Sequence, residues 1–131
     1  MSNINVMEKT GSHRDLLVYK RSMDLVVAIY QITSLFPDSE KFGLVSQLRR
    51  SAVSVPSNIS EGAARQSTKE YIQFLYISLG SLAEIETQLE IAIRLNYCSE
   101  VEIQSLTIFH LKQMLLKMIN SLKRKHANVQ A

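Results

Sequence analysis

The chain has no tryptophan, and cysteine, proline and glycine number only one, two and four among its 131 residues. The single thiol, Cys98, excludes an intrachain disulfide. No Cys/His cluster has zinc-ligand spacing, so neither a disulfide-stapled nor a zinc-stapled scaffold fits. No uninterrupted apolar run approaches the length of a membrane span, and the opening stretch MSNINVMEKTGSHRDL lacks the apolar core of a signal sequence. Neither a membrane span nor export is therefore expected, and a reducing cytoplasmic location is the simplest expectation. What the chain does have is a 46% hydrophobic content at single-domain length, enough to build a core without staples.

Acidic residues are missing from the last part of the sequence. Between Glu70 and Glu102 six acids face the single Arg94, whereas five Lys/Arg and no acid follow from Ile103 onward. Two readings stand side by side. Adjacent antiparallel helices can neutralise each other, or the basic end can attract phosphate. The net charge of +3 does not choose between them.

Apolar spacing of three and four residues recurs along almost the whole chain, and no strand-like alternation competes with it. Residues 1–13 lack periodicity and read as a flexible tail. A first helix spans about Asp15 to Phe36, with one stripe at Leu16, Met23, Val27 and Tyr30 and a second at Leu25, Ile29, Ile32 and Phe36. Phe36-Pro37-Asp38-Ser39 stops it and offers a cap for a second helix from about Ser39 to Ala63, whose core row is Leu44, Leu48, Ala52, Val55, Ile59 and Ala63. Pro56 inside that helix predicts a kink or short break, because it removes one hydrogen bond and collides with the carbonyl of Ala52. Gly62 reads as a C-terminal signal. Ser67-Thr68-Lys69-Glu70 forms a capping-box pattern opening a third helix that ends at Asn96-Tyr97-Cys98, and Ser99 to Glu102 forms another opening a fourth. That last helix carries Ile108, Leu111, Leu115, Met118 and Leu122 at heptad-like spacing. With short connections throughout, the expected fold is an all-α, antiparallel up-down four-helix bundle over residues 14–125, kinked near Pro56, with residues 126–131 as a second flexible tail.

The run through helix two includes Phe36-Pro37, Glu40, Gly43-Leu44, Gln47-Leu48-Arg49-Arg50, the continuous segment Ser54 to Gly62, and Arg65. It resembles the bacterial four-helix-bundle family encoded within intervening sequences of 23S ribosomal RNA genes. Gly80-Ser81, followed by Glu84 and Glu86, fits the third helix of that family, and the resemblance covers about Leu16 to Leu122. Ser51 and Ser60 stand where the family more often has alanine. The resemblance implies a four-helix protomer, a homopentamer as in characterised relatives, a family without a defined biochemical role, and no catalytic activity. A more distant relative in shape is the accessory protein of diversity-generating retroelements, a basic pentamer that binds a reverse transcriptase and nucleic acid; fold likeness of that kind does not transmit function.

Three groups of residues are candidates for chemistry. Gln47, Arg50, Ser54, Asn58, Glu61 and Arg65 form a polar row opposite the apolar row of helix two. As structure, Ser54 and Asn58 would satisfy backbone freed by Pro56, and the charged members would pair within or between subunits. As function, Arg49, Arg50 and Arg65 would offer forked donors to phosphate. The second group, Lys117, Lys123, Arg124 and Lys125, either answers the negative end of a helix dipole or forms a nucleic-acid patch multiplied around an oligomer. The third, Gly80 with Ser81, reads as a place where another helix packs closely.

Metal and cofactor sites find no support. Glu84, Glu86 and Glu90 have Thr87, Leu89 and Ile93 three residues on rather than histidine, and His13, His110 and His126 are scattered. The expected protein is thus a non-enzymatic self-associating bundle that touches RNA or an RNA-handling protein. The alternatives are a protein-interaction scaffold without nucleic acid, and an enzyme built on Arg50, Asn58 and Glu61.

Overall fold

The computed structural model describes residue 13 and residues 16–130, the side chain of Gln130 excepted. The described residues are all-helical and form a four-helix bundle without strands. The long helices are α1 (Leu17–Thr33), α2 (Leu44–Ala63), α3 (Thr68–Arg94) and, after the single-turn α4 (Glu100–Gln104), α5 (Ile108–Gln130). Residues 1–12 of the expected N-terminal tail lie outside the described residues. At the other end α5 continues to Gln130, past the boundary at residue 125 drawn from the sequence.

Specific contacts fix the register of successive long helices. Thr33 on α1 meets Arg49 on α2 at 2.9 Å, while His13 before α1 meets Ser60 near the end of α2 at 3.2 Å. The Ser54 and Ser81 hydroxyls lie 2.8 Å apart between α2 and α3, and Gly62 faces Tyr71 and Phe74. Between α3 and α5, Lys112 meets Glu86 at 2.9 Å and Lys123 meets Tyr76 at 2.6 Å. In each pair one residue number rises as the other falls, so each pair runs antiparallel. Leu25, Ile29, Leu48, Val55, Ile59, Leu75, Leu82, Ile85, Leu89, Leu111, Leu115 and Ile119 fill the space enclosed by these helices. Each fully buried Leu or Ile contributes about 1.5–3 kcal/mol of burial free energy.

Of the two stripes expected on α1, only the second is core. Leu25, Ile29 and the following Phe36 are buried, whereas Met23, Val27 and Tyr30 are 43%, 56% and 43% exposed. The inward row is completed by Val18 and by two polar residues, Ser22 and Thr33. Their hydroxyls donate to the carbonyls of Tyr19 and Ile29, both at 2.7 Å, so they enter the core with their hydrogen bonds made locally. The inward row is not fully legible from apolar spacing, because Ser22 and Thr33 interrupt it.

Helix two begins at Leu44, later than the expected Ser39, because Asp38–Glu40 form a 3-10 turn. The Glu40 carboxylate caps α2 from this turn, accepting from the Leu44 N–H at 3.2 Å and from the Tyr97 hydroxyl at 2.9 Å. Tyr97 also packs on Phe36, ring centroids 5.4 Å apart. The connection after α1 is thereby tied to the end of α3. The hydrogen bond to Glu40, with burial and the carboxylate's charge, raises the Tyr97 phenol above its ordinary value of 10.0. Farther along α2, Pro56 is buried within a helix that runs without interruption from Leu44 to Ala63, so the short break allowed for there is absent.

Asn96 closes α3 with φ 62°, its N–H bonded to the Ile93 carbonyl and the Tyr97 N–H to the Ala92 carbonyl, both at 2.9 Å. This is a Schellman ending with asparagine in the left-handed position that glycine often takes. Ser67 caps α3 by accepting from Glu70 N–H at 3.1 Å. Ser99 and Glu102 make a complete capping box at the start of α4. The helix it opens does not run on: Thr107 adopts φ 52° and separates α4 from α5.

Close helix approach occurs at Gly62, not within the chain at Gly80. A Cβ added at Gly62 would lie 2.8 Å from Phe74 Cβ and 3.3 Å from the Tyr71 carbonyl oxygen, while one added at Gly80 meets nothing within 4 Å. Gly62→Ala is expected to lower stability by about 1–3 kcal/mol through overpacking, read from the denaturant midpoint. The second expectation concerns alkaline pH. The raised Tyr97 phenol contributes stability that is fully present below pH 10.0 and is lost as pH rises through the folded-state value. Tyr97→Phe should therefore lose stability less steeply than the wild type above pH 10.0, measured by denaturation across that range.

Candidate functional site

The polar row of α2 divides into three parts. In its middle, Ser54 and Asn58 turn toward α3. Asn58 Nδ2 donates to the Ser54 carbonyl at 2.8 Å and lies 2.9 Å from Ser54 Oγ, which in turn meets Ser81 Oγ. One turn away Ser78 donates to the Val55 carbonyl at 2.8 Å. These groups sit beside Pro56, where the proline removes one helical N–H. Ser81, half of the pair expected to mark close packing, belongs to this seam. Gly80 is exposed beside it.

At the C-terminal end of the row, Glu61 and Arg65 pair at 2.6 Å with side chains 54% and 41% exposed. A pair so open to water stabilises by about 1 kcal/mol at most. The Arg65 guanidinium also lies 4.8 Å from the Phe74 ring centroid. At the N-terminal end, Gln47 and Arg50 are exposed, and Arg50 makes no ion pair among the described residues. Arg50, Asn58 and Glu61 are thus not gathered into one pocket. Asn58 is spent on Ser54, Glu61 on Arg65, and about 12 Å of helix separates Arg50 from Asn58.

The basic residues fall into two groups at opposite ends of the bundle. Lys123 donates to the Tyr76 hydroxyl at 2.6 Å and lies 5.1 Å from that ring. Arg124 and Lys125 follow it, exposed, near the end where Arg65 lies. Lys117 is farther back on α5 and lines a groove of about 850 Å³ between α1 and α5, with Arg21, Asp24, Phe109 and His110 also on its walls. Mutual neutralisation between the acidic third helix and the basic last helix is realised at Lys112–Glu86; among the described residues no other ion pair joins these helices.

Arg49 and Arg50 stand on the α1–α2 side. Arg49 is held from two directions, by Nε donating to Thr33 Oγ1 at 2.9 Å and Nη2 donating to the Tyr30 carbonyl at 3.3 Å, with its guanidinium 4.5 Å from the Tyr30 ring centroid. Around it a concavity of about 480 Å³ includes Lys41, Phe42 and Arg50. Lys41, Phe42 and Tyr30 were not singled out as site residues from sequence. The signal was an aromatic in the connection before α2, flanked by a lysine and lying off the core row.

Cys98, half-buried, has its thiol pushed up by burial and by the Glu102 charge, which disfavours the thiolate. Among the described residues no group of three His, Cys, Asp or Glu is placed to hold a metal, and no helix is long and apolar enough to cross a membrane. The seam around Asn58 is the part of the row that holds helices together. Asn58→Leu is expected to cost about 1–3 kcal/mol, since it leaves the Ser54 groups without their amide donor. Gln47→Ala, at an exposed site, should stay within about 0.5 kcal/mol of the wild type in the same denaturation experiment.

No functionally curated protein matches the chain. Among solved structures, it resembles a protein of unknown function from the S23 ribosomal protein family of Bacteroides thetaiotaomicron. The two are 27% identical, with a TM-score of 0.70 over 79% of this chain and 98% of that one. The model of the 23S rRNA-intervening sequence protein family matches residues 14–121, from just before α1 into the last helix, and the chain belongs to that family.

Proposed function

We propose that this chain is a non-enzymatic accessory protein that assembles with copies of itself, as a homopentamer, and presents a repeated basic surface to RNA or to an RNA-handling protein in the cytoplasm. The observation that carries the reading is a mismatch between the chain's apolar pattern and what its own bundle covers. Among the described residues Met23 and Val27 form an uncovered apolar strip on α1, and Ile77, Ile91 and Leu95 share another exposed face on α3. Gly80 and Glu84 lie on the same face as the second stripe. A Cβ there would meet open space within the chain, which suits a site where a neighbouring copy approaches closely.

Charge supports the RNA half of the reading. Lys117, Arg124 and Lys125 are exposed and make no ion pair among the described residues, as does Arg50 at the other end. Repetition around a ring would turn modest phosphate contacts into useful affinity, with strong dependence on salt. Light scattering coupled to size-exclusion chromatography tests both halves when run with and without a structured RNA fragment. The expected result is a five-chain species that takes up RNA at low salt. Binding should weaken by more than about tenfold on going from 50 to 200 mM salt, and after charge reversal of Lys123, Arg124 and Lys125. A pentamer indifferent to RNA would replace this reading with a protein-interaction scaffold, and a monomer would defeat both. Gly80→Leu should reduce assembly while leaving helix content intact by circular dichroism.

A further inference from the structure

Aromatic carbon and unneutralised positive charge meet most closely in the α1–α2 concavity. We infer that this is a stacking site for the unpaired bases of single-stranded RNA, with Phe42 and the Tyr30–Arg49 pair as stacking surfaces and Lys41 and Arg50 as phosphate contacts. The inference rests on the RNA reading above and assigns it a place and a form of RNA.

Phe42 is 90% exposed, and the Lys41 ammonium lies 5.5 Å from its ring centroid. The ring covers none of the core, so its apolar surface is available to a flat partner. Tyr30 and Arg49 provide a second surface. With Arg49 bonded to Thr33 Oγ1 and to the Tyr30 carbonyl, its planar cation is fixed over the Tyr30 ring before any ligand arrives. A guanidinium plane held in this way can stack with a base at little further ordering cost.

The electrostatics favour a polyanion over a second copy of the chain. Lys41, Arg49 and Arg50 line the concavity and no acid does. The nearby Glu40 carboxylate is committed to the Leu44 N–H and the Tyr97 hydroxyl. An identical patch facing this one would set cation against cation, whereas a phosphate backbone would neutralise it. A volume of about 480 Å³ lies within the range of small-ligand clefts. Val45 and Val53 give the walls apolar side chains without donors or acceptors, with Ser46 between them the one small hydroxyl, so stacking on base faces would dominate and tolerate many sequences. Duplex RNA keeps those faces stacked internally and would be a poorer ligand at this site.

The test is fluorescence anisotropy with a short labelled oligouridylate and with an RNA duplex of equal length, at one fixed salt concentration. Wild type, Phe42→Ala, Phe42→Trp and Arg50→Ala are compared, with the mass of each checked by light scattering. Phe42→Ala is expected to weaken single-strand binding by about five- to a hundredfold, with duplex binding unchanged. Phe42→Trp should retain single-strand binding, and Arg50→Ala should lower its salt dependence. Equal binding of the single strand by wild type and Phe42→Ala would overturn the stacking site while leaving RNA association standing. Failure of wild type to bind either RNA would overturn both. Loss of the oligomer in Phe42→Ala would assign the surface to a contact between copies and overturn the inference as well.

Discussion

The close approach of α2 and α3 governs the rest of the bundle. At Gly62 the two helices come so near that no side-chain carbon fits between them, and one or two turns away they are joined through small hydroxyl residues instead of interlocking bulky ones. Ser54, Ser78 and Ser81 fill little volume, and their hydroxyls bond across the seam, Ser54 with Ser81 and Ser78 with the Val55 carbonyl beside Pro56. With that pair drawn together, the larger residues Leu48, Val55, Ile59, Leu75, Leu82 and Ile85 project into the interior toward α1 and α5. Positions that looked available for chemistry are thus partly spent on the helix–helix contact. Arg50 at one end of the polar row and Glu61 with Arg65 at the other stay on the surface.

The number and order of the long helices could be read from the sequence, because three- and four-residue periodicity, capping serines and the Phe36-Pro37 stop are local signals. The family could be read as well, because its motif is concentrated in α2. The start of α2 was harder to place, since Ser39 looks like a cap but Glu40 does the capping through a side chain that also depends on distant Tyr97. The break before α5 was hidden for a similar reason: Thr107 takes a left-handed conformation that its residue type does not advertise.

Site residues divide along the same line between local and non-local information. The sequence places Ser54 and Asn58 on one helical face, but their partner Ser81 lies 27 residues farther along than Ser54. The Glu61–Arg65 pair is a local i,i+4 contact that the sequence already allowed, whereas Arg49 is held by Thr33 and Tyr30 of α1, which its own helix does not reveal. Tyr30 reads from the sequence only as a member of one of two apolar stripes. Only the three-dimensional arrangement shows that the stripe faces outward and stands beside two arginines.

The groove between α1 and α5 has a bearing on how the molecule comes together. These two helices make the thinnest of the bundle's four seams, although they are the two farthest apart in the chain. Neighbours along the chain can pair through short connections, so α1 with α2, α2 with α3 and α3 with α5 close at small entropic cost. Bringing the first and last helices together closes the longest loop in the bundle, and the few contacts they make in return hold that seam less tightly than the others. The cleft along that side of the bundle is where this balance shows.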